Sequence, residues 1–153
     1  MIRVSKAVAL GVIMWLPLVG HTDGKDVRRA DDKDVVEYRK HIMKSLEQQT
    51  AAFGQILSGA GPTENTLAHM EALALSASVA LKAFEAKVPG GEAKPEVWSN
   101  WPDFSKRMQE FADKTAGMAK IGRENGVDAA VLEVLDALSC KSCHDLYRDE
   151  KKK

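Results

Sequence analysis

Apolar residues recur at spacings of three and four along four stretches of the chain, the pattern of amphipathic helices. The first stretch runs from about Asp32 to Ser58 and carries Val35, Tyr38, Ile42, Leu46, Phe53, Ile56 and Leu57 on one face. Gly59-Ala60-Gly61-Pro62 ends it, and Thr63 is the expected N-cap of a second helix with Leu67, Met70, Ala74, Ala77, Leu81 and Phe84. The connection Val88-Pro-Gly-Gly-Glu-Ala-Lys-Pro95 holds two prolines and two glycines and breaks the helix. A third helix is expected from Pro102, a favoured first-turn residue, with Phe104, Met108, Phe111, Met118 and Ile121 inward. After Asn125-Gly126, a fourth carries Val127, Val131, Val134, Leu135 and Leu138 and leads directly into Cys140. No segment alternates with period two. The fold class is therefore all-α, an antiparallel four-helix bundle, with any cofactor held in the bundle core near the C-terminal helix.

The chemistry lies at that C-terminal helix. Cys140-Lys-Ser-Cys143-His144 contains the only two cysteines of the 153 residues, and Cys-x-x-Cys-His is the attachment signature of c-type haem. On a helix these three residues share one face, so two sulfurs can reach the haem vinyl groups while the imidazole turns under the ring. Other readings of the pair fit less well. A thioredoxin-like pair needs a strand beside it, and none is expected here. A zinc site needs four ligands, whereas His21, His41 and His69 are distant and isolated. A disulfide three residues long closes almost no loop.

The N-terminus changes where this chemistry would take place. Arg3 and Lys6 precede an apolar run from Ala7 to Gly20 that is short for a bilayer span and contains Pro17. Residues 1–20 are expected to be a cleaved secretory signal, with an uncleaved anchor as the alternative. A flexible segment, 21–32, the bundle, 33–150, and a basic tail, Lys151–Lys153, follow. Export would place the mature chain in the periplasm, an oxidising compartment that two free thiols would meet unless a cofactor consumed them. The 22 basic and 22 acidic residues cancel, and no basic stripe suggests nucleic acid.

Beyond the haem signature, three segments resemble the class II c-type cytochromes, the cytochrome c prime family. They are Val35-Val-Glu-Tyr-Arg-Lys-His-Ile-Met43, Gly90-Gly-Glu-Ala-Lys-Pro-Glu-Val-Trp98 and Cys140-Lys-Ser-Cys-His-Asp-Leu-Tyr-Arg148. The resemblance implies one haem c, with Cys140 and Cys143 as thioether anchors and His144 as the proximal iron ligand. It sets Arg39 near the haem propionates, where a guanidinium suits a buried carboxylate, and Glu92 at the haem edge. Arg148 would border the proximal pocket; its other reading is a cation at a helix C-terminus. Lys40 stands where the family commonly has glutamine, which weakens its link to the haem.

Met43 matches the distal position, where the family divides. Its thioether either ligates iron, which suits one-electron transfer, or crowds an open site that binds nitric oxide or carbon monoxide. Softness and reach favour ligation. His41 lies on the opposite side of that helix. Met70, Met108 and Met118 are read as core packing, and His69 as structural. The expected role is that of a periplasmic electron carrier meeting redox partner proteins, not an enzyme: no distal histidine–arginine pair is placed for peroxidase chemistry. Relatives commonly form homodimers through their first two helices, and Ala72, Ala74, Ser76 and Ala80 would permit close approach.

Overall fold

The computed structural model describes residues 31–150, apart from the Leu135 side chain. The expected signal, 1–20, and the tail, 151–153, lie outside the described residues. So does the following segment up to residue 30; its last two residues, Asp31 and Asp32, cap and open the first helix.

Helix α1 spans Asp32–Leu57. The Asp31 carboxylate accepts from the Asp34 N–H at 2.8 Å, and Asp32 and Asp34 complement the positive end of the helix. Gly59, at φ 78°, turns the chain. The second helix starts later than Thr63 suggests: Thr63–Asn65 forms one 3-10 turn, and α2 runs Thr66–Ala80. Asn65, not Thr63, occupies the N-cap of α2, and Thr66 donates its hydroxyl to the Thr63 carbonyl. A single turn, α3 (Lys82–Glu85), continues α2 and brings Phe84 into the core. A second single turn, α4 (Glu96–Ser99), precedes α5 (Trp101–Asn125), with Pro102 in its first turn.

Gly126, at φ 91°, separates α5 from α6 (Val127–Ala137). The fourth helix is not continuous into the cysteines. It breaks at Leu138 and Ser139, whose ψ values of 34° and 41° leave helical geometry, and α7 (Cys140–Tyr147) restarts beyond them. Helices α1, α2, α5 and α6 pack in sequence as up-and-down neighbours, the connectivity of an antiparallel four-helix bundle. Among the described residues no strand forms; the irregular pairing consists of two isolated bridges, Gly90 with Ala93 and Ala93 with Arg148.

The core contains Leu46, Phe53, Met70, Leu73, Ala77, Phe84, Phe104, Met108, Met118 and Val134. It follows the predicted stripes with three departures. Tyr38, Leu57 and Val131 are exposed. On α1 the buried position beside Tyr38 belongs to Arg39, at 3% exposure. Two of the small residues on α2 are used inside the chain: Ala80 is fully buried, and Ser76 pairs its hydroxyl with that of Ser45 on α1 at 3.0 Å. His69 also ties α2 to α1, through Nδ1 and Gln49 Oε1 at 2.8 Å.

Candidate functional site

Cys140, Cys143 and His144 occupy the first five residues of α7, all half-buried. Both cysteines are free thiols. Burial raises the pKa of each; at Cys143 the Arg107 guanidinium opposes this and Asp103 adds to it. The His144 pKa is lowered, first by burial and then by the Arg148 charge, with Asp145 and Glu92 acting the other way. His144 therefore favours its neutral form, the form that ligates a metal. Beside it an open depression of about 420 Å³ is lined by Lys94, Asp145, Arg148 and Glu150. Two protonated thiols and a neutral imidazole, presented together from one short helix, fit the donor set that a covalently held haem requires.

Met43 is half-buried on α1 and packs against the same core that receives Cys143. His41, two residues earlier, is exposed, so the two side chains do part as helix geometry requires.

Arg39 has a distinct set of partners. Its Nη1 donates to the Val88 carbonyl at 2.9 Å and its Nη2 to the Gly90 carbonyl at 2.6 Å. The guanidinium also lies 5.1 Å from the Phe84 ring centroid and 5.3 Å from that of Trp98. Burial lowers its pKa, yet an arginine stays charged in a protein. Backbone carbonyls and aromatic faces offset the cost of burying that charge. Lys40, next in sequence, is exposed and paired with Glu37 at 2.7 Å; its aliphatic stem runs beside Gly91.

The connection that Arg39 grips continues to α7. Asp149 donates its N–H to the Glu92 carbonyl at 2.9 Å, Lys94 donates its own to the Tyr147 carbonyl at 3.0 Å, and Ala93 bridges Arg148. Lys94 Nζ adds a bond to the Asp145 carbonyl at 3.0 Å. Residues 88–94 thus form a strap from α1 to the end of α7, and this pairing brings Glu92 and Arg148 close enough to His144 to influence its charge. Gly90 and Gly91, at φ 130° and 68°, permit the turn; a Cβ on Gly90 would stand 3.2 Å from Val36.

Three residues not expected from the sequence, Asn100, Asp103 and Arg107, gather around Tyr147 at the far end of α7. Tyr147 is buried and donates its hydroxyl to Asp103 Oδ2 at 2.5 Å. Asn100 Nδ2 donates to the same hydroxyl at 3.2 Å, and Arg107 Nε donates to Asp103 Oδ2 at 2.6 Å. The two bonds of the Tyr147 hydroxyl span 44 and 47 residues, and no periodic pattern marks them, whereas Arg107 and Asp103 are an i, i+4 pair on α5.

Comparison with known proteins agrees with this geometry. The family described as Cytochrome C' matches residues 34–148. The cytochrome c' of Alcaligenes xylosoxydans xylosoxydans is 30% identical over 127 residues, covering 80% of this chain and 98% of that protein. The Rubrivivax gelatinosus cytochrome c' is 29% identical, over 76% of this chain and 95% of that one. Among solved structures, a nitric oxide complex of a variant cytochrome c prime from Alcaligenes xylosoxidans superposes with a TM-score of 0.71 at 26% identity, covering 80% of this chain and 99% of that one. A nitrite complex of another variant of the same protein matches with the same TM-score and coverage. The chain belongs to the cytochrome c prime family, whose members carry covalently attached haem c, and Cys140 and Cys143 are the two cysteines available for that attachment.

Proposed function

We propose that this cytochrome c prime is a periplasmic one-haem protein that binds nitric oxide or carbon monoxide, with Met43 screening the ligand site. Cys140 and Cys143 hold the haem edge, and the neutral His144 imidazole serves as the proximal ligand. The haem supplies an iron that changes valence and takes up diatomic ligands. The chain's own part is to anchor, orient and exclude. The strap of residues 88–94 holds α7 in place, while Met43, half-buried against the core, restricts what approaches from α1. This packing carries the proposal: a flexible apolar side chain, at the position that the resemblance makes distal, would filter small apolar ligands from water and anions. The nitric oxide complexes of similar structures support the choice of ligand. Export rests on the charged and apolar pattern of residues 1–20.

A second reading has its own support. The Met43 thioether and Cys143 pack against one core, and thioether is a competent axial ligand that raises reduction potential. Ligation would make the protein an electron carrier for redox partner proteins. Neither role requires turnover, and an assay with hydrogen peroxide is expected to show none above free haem.

The substitution Met43→Ala separates the two readings. With an open site, it accelerates carbon monoxide binding by about tenfold or more, equivalent to about 1.4 kcal/mol of barrier. With ligation, the ferric wild type shows a sulfur-to-iron charge-transfer band in near-infrared magnetic circular dichroism, and the variant loses it. Detection of that band in the wild type overturns the gas-binding proposal.

A further inference from the structure

Helix α7 is only eight residues long and is separated from α6 by the break at Leu138–Ser139. Its orientation is therefore not inherited from the helix before it. The strap fixes its end through backbone bonds at Tyr147, Arg148 and Asp149. Backbone bonds at one end locate a short helix but leave its roll about its own axis weakly determined. A side chain that reaches a rigid neighbour sets the roll.

Tyr147 is that side chain. It lies three residues after His144 and four after Cys143, on the same helical face one turn further on. Its ring packs edge-on against Phe104, with centroids 5.2 Å apart and planes at 77°. Its hydroxyl reaches Asp103 Oδ2 in the first turn of α5, and Asn100 donates back to it. Arg107, one turn along α5, donates its Nε to the same Oδ2 at 2.6 Å. Asp103 Oδ2 thus takes two donors, one from α5 and one from α7. α5 is a 25-residue helix packed along both α2 and α6, so it is the stiff member of the pair.

We propose that Asp103 and Tyr147 are positioning residues for the proximal ligand: the bond between them sets the roll of α7 and hence the plane of the His144 imidazole beneath the haem. The inference rests on the haem reading, with His144 as the ligand. Neither residue touches the iron; each acts through α7.

The test uses the mature haem-loaded protein and the hyperfine-shifted haem methyl proton resonances of its ferric state, whose spread depends on the imidazole plane. Tyr147→Phe keeps the ring in the core and removes only the hydroxyl. It is expected to change the order or spread of the methyl shifts, with Asp103→Ala moving them in the same direction. The double variant should add nothing beyond either single change. Asp103→Asn, which retains a carbonyl acceptor, should return the pattern toward wild type. Glu71→Gln serves as a control, because it weakens the Glu71–Arg123 ion pair (2.6 Å) near the opposite end of α5. It should leave the pattern unchanged.

Methyl shifts that stay in place in Tyr147→Phe while the melting temperature falls overturn the inference, since a purely structural bond would behave that way. Should Tyr147→Phe not mature, the comparison of Asp103→Ala with Asp103→Asn decides, and identical methyl patterns in the two overturn it. A wild type without any hyperfine-shifted methyls contradicts the haem reading itself and takes this inference with it.

Discussion

Arg39 shows how a single residue can redirect a sequence pattern. The stripe on α1 favours Tyr38 for the core, yet the tyrosine is 51% exposed and the arginine is 3% exposed. The exchange is stable because the guanidinium finds two carbonyls in the loop opposite it and the aromatic faces of Phe84 on α3 and Trp98 on α4. Arg39→Ala is expected to lower stability by about 2–4 kcal/mol, the combined scale of charged hydrogen bonds and desolvated cation–π contacts. Arg39→Lys should recover little, because an ammonium cannot span both carbonyls in one plane. Urea unfolding of the haem-loaded protein checks both.

The Asp103–Tyr147 bond gives a second residue-scale prediction, in pH. Arg107 and then Tyr147 lower the Asp103 pKa by hydrogen bonding. Its contribution is therefore present above the ordinary carboxylate range and lost as pH falls through the lowered folded value. Burial, followed by the bond to Asp103, raises the Tyr147 pKa. That contribution is present below the ordinary tyrosine value of about 10 and lost as pH rises through the raised folded value. The groups facing this hydroxyl are the charged Asp103, Lys106 and Arg107 and the Cys143 sulfur, which is neutral as a protonated thiol or a thioether. The stability difference between wild type and Tyr147→Phe should be flat from about pH 5 to 9 and shrink at both extremes. A difference that grows toward acid contradicts this sign.

At the scale of elements, two glycines of α5 predict opposite outcomes for the same change. A Cβ on Gly117 meets nothing within 4 Å, whereas one on Gly122 would stand 2.9 Å from Met70 Sδ and 3.3 Å from Leu67 Cδ1. Gly117→Ala should stabilise by about 0.5–1 kcal/mol through helix propensity alone. At Gly122 the same gain meets overpacking of about 1–3 kcal/mol. Met70 is fully buried and has little room to withdraw, so Gly122→Ala should destabilise on balance. Paired denaturation midpoints test whether α2 and α5 approach each other here as closely as described.

What could be read in the chain follows from the range of each interaction. The helices were legible because a helix repeats every few residues, and Cys140, Cys143 and His144 because they stand within five. The break at Leu138–Ser139 was hidden, because Leu138 continues the apolar spacing of α6. The strap was hidden as well: bonds from residues 92–94 to 147–149 run through backbone, which leaves no side-chain signature. The reach of Tyr147 to Asp103 crosses 44 residues. It depends on α7 being set apart from α6, a feature the pattern did not reveal.

Taken together, the described residues form a four-helix frame with a short separate helix strapped to it. That helix carries the residues for one haem and is held by α1 through the strap and by α5 through Tyr147. The strap, gripped by Arg39, adds to stability, whereas the Tyr147 hydroxyl acts on the setting of α7, so Tyr147→Phe should alter spectra more than melting. Everything functional depends on haem being joined through Cys140 and Cys143. The most direct measurement is the reduced alkaline pyridine spectrum of the purified mature protein after acid–acetone extraction. Colour retained on the protein, with the absorption band of a doubly thioether-linked haem, is the predicted result; colour lost to the solvent, or a band from haem with intact vinyl groups, would contradict it.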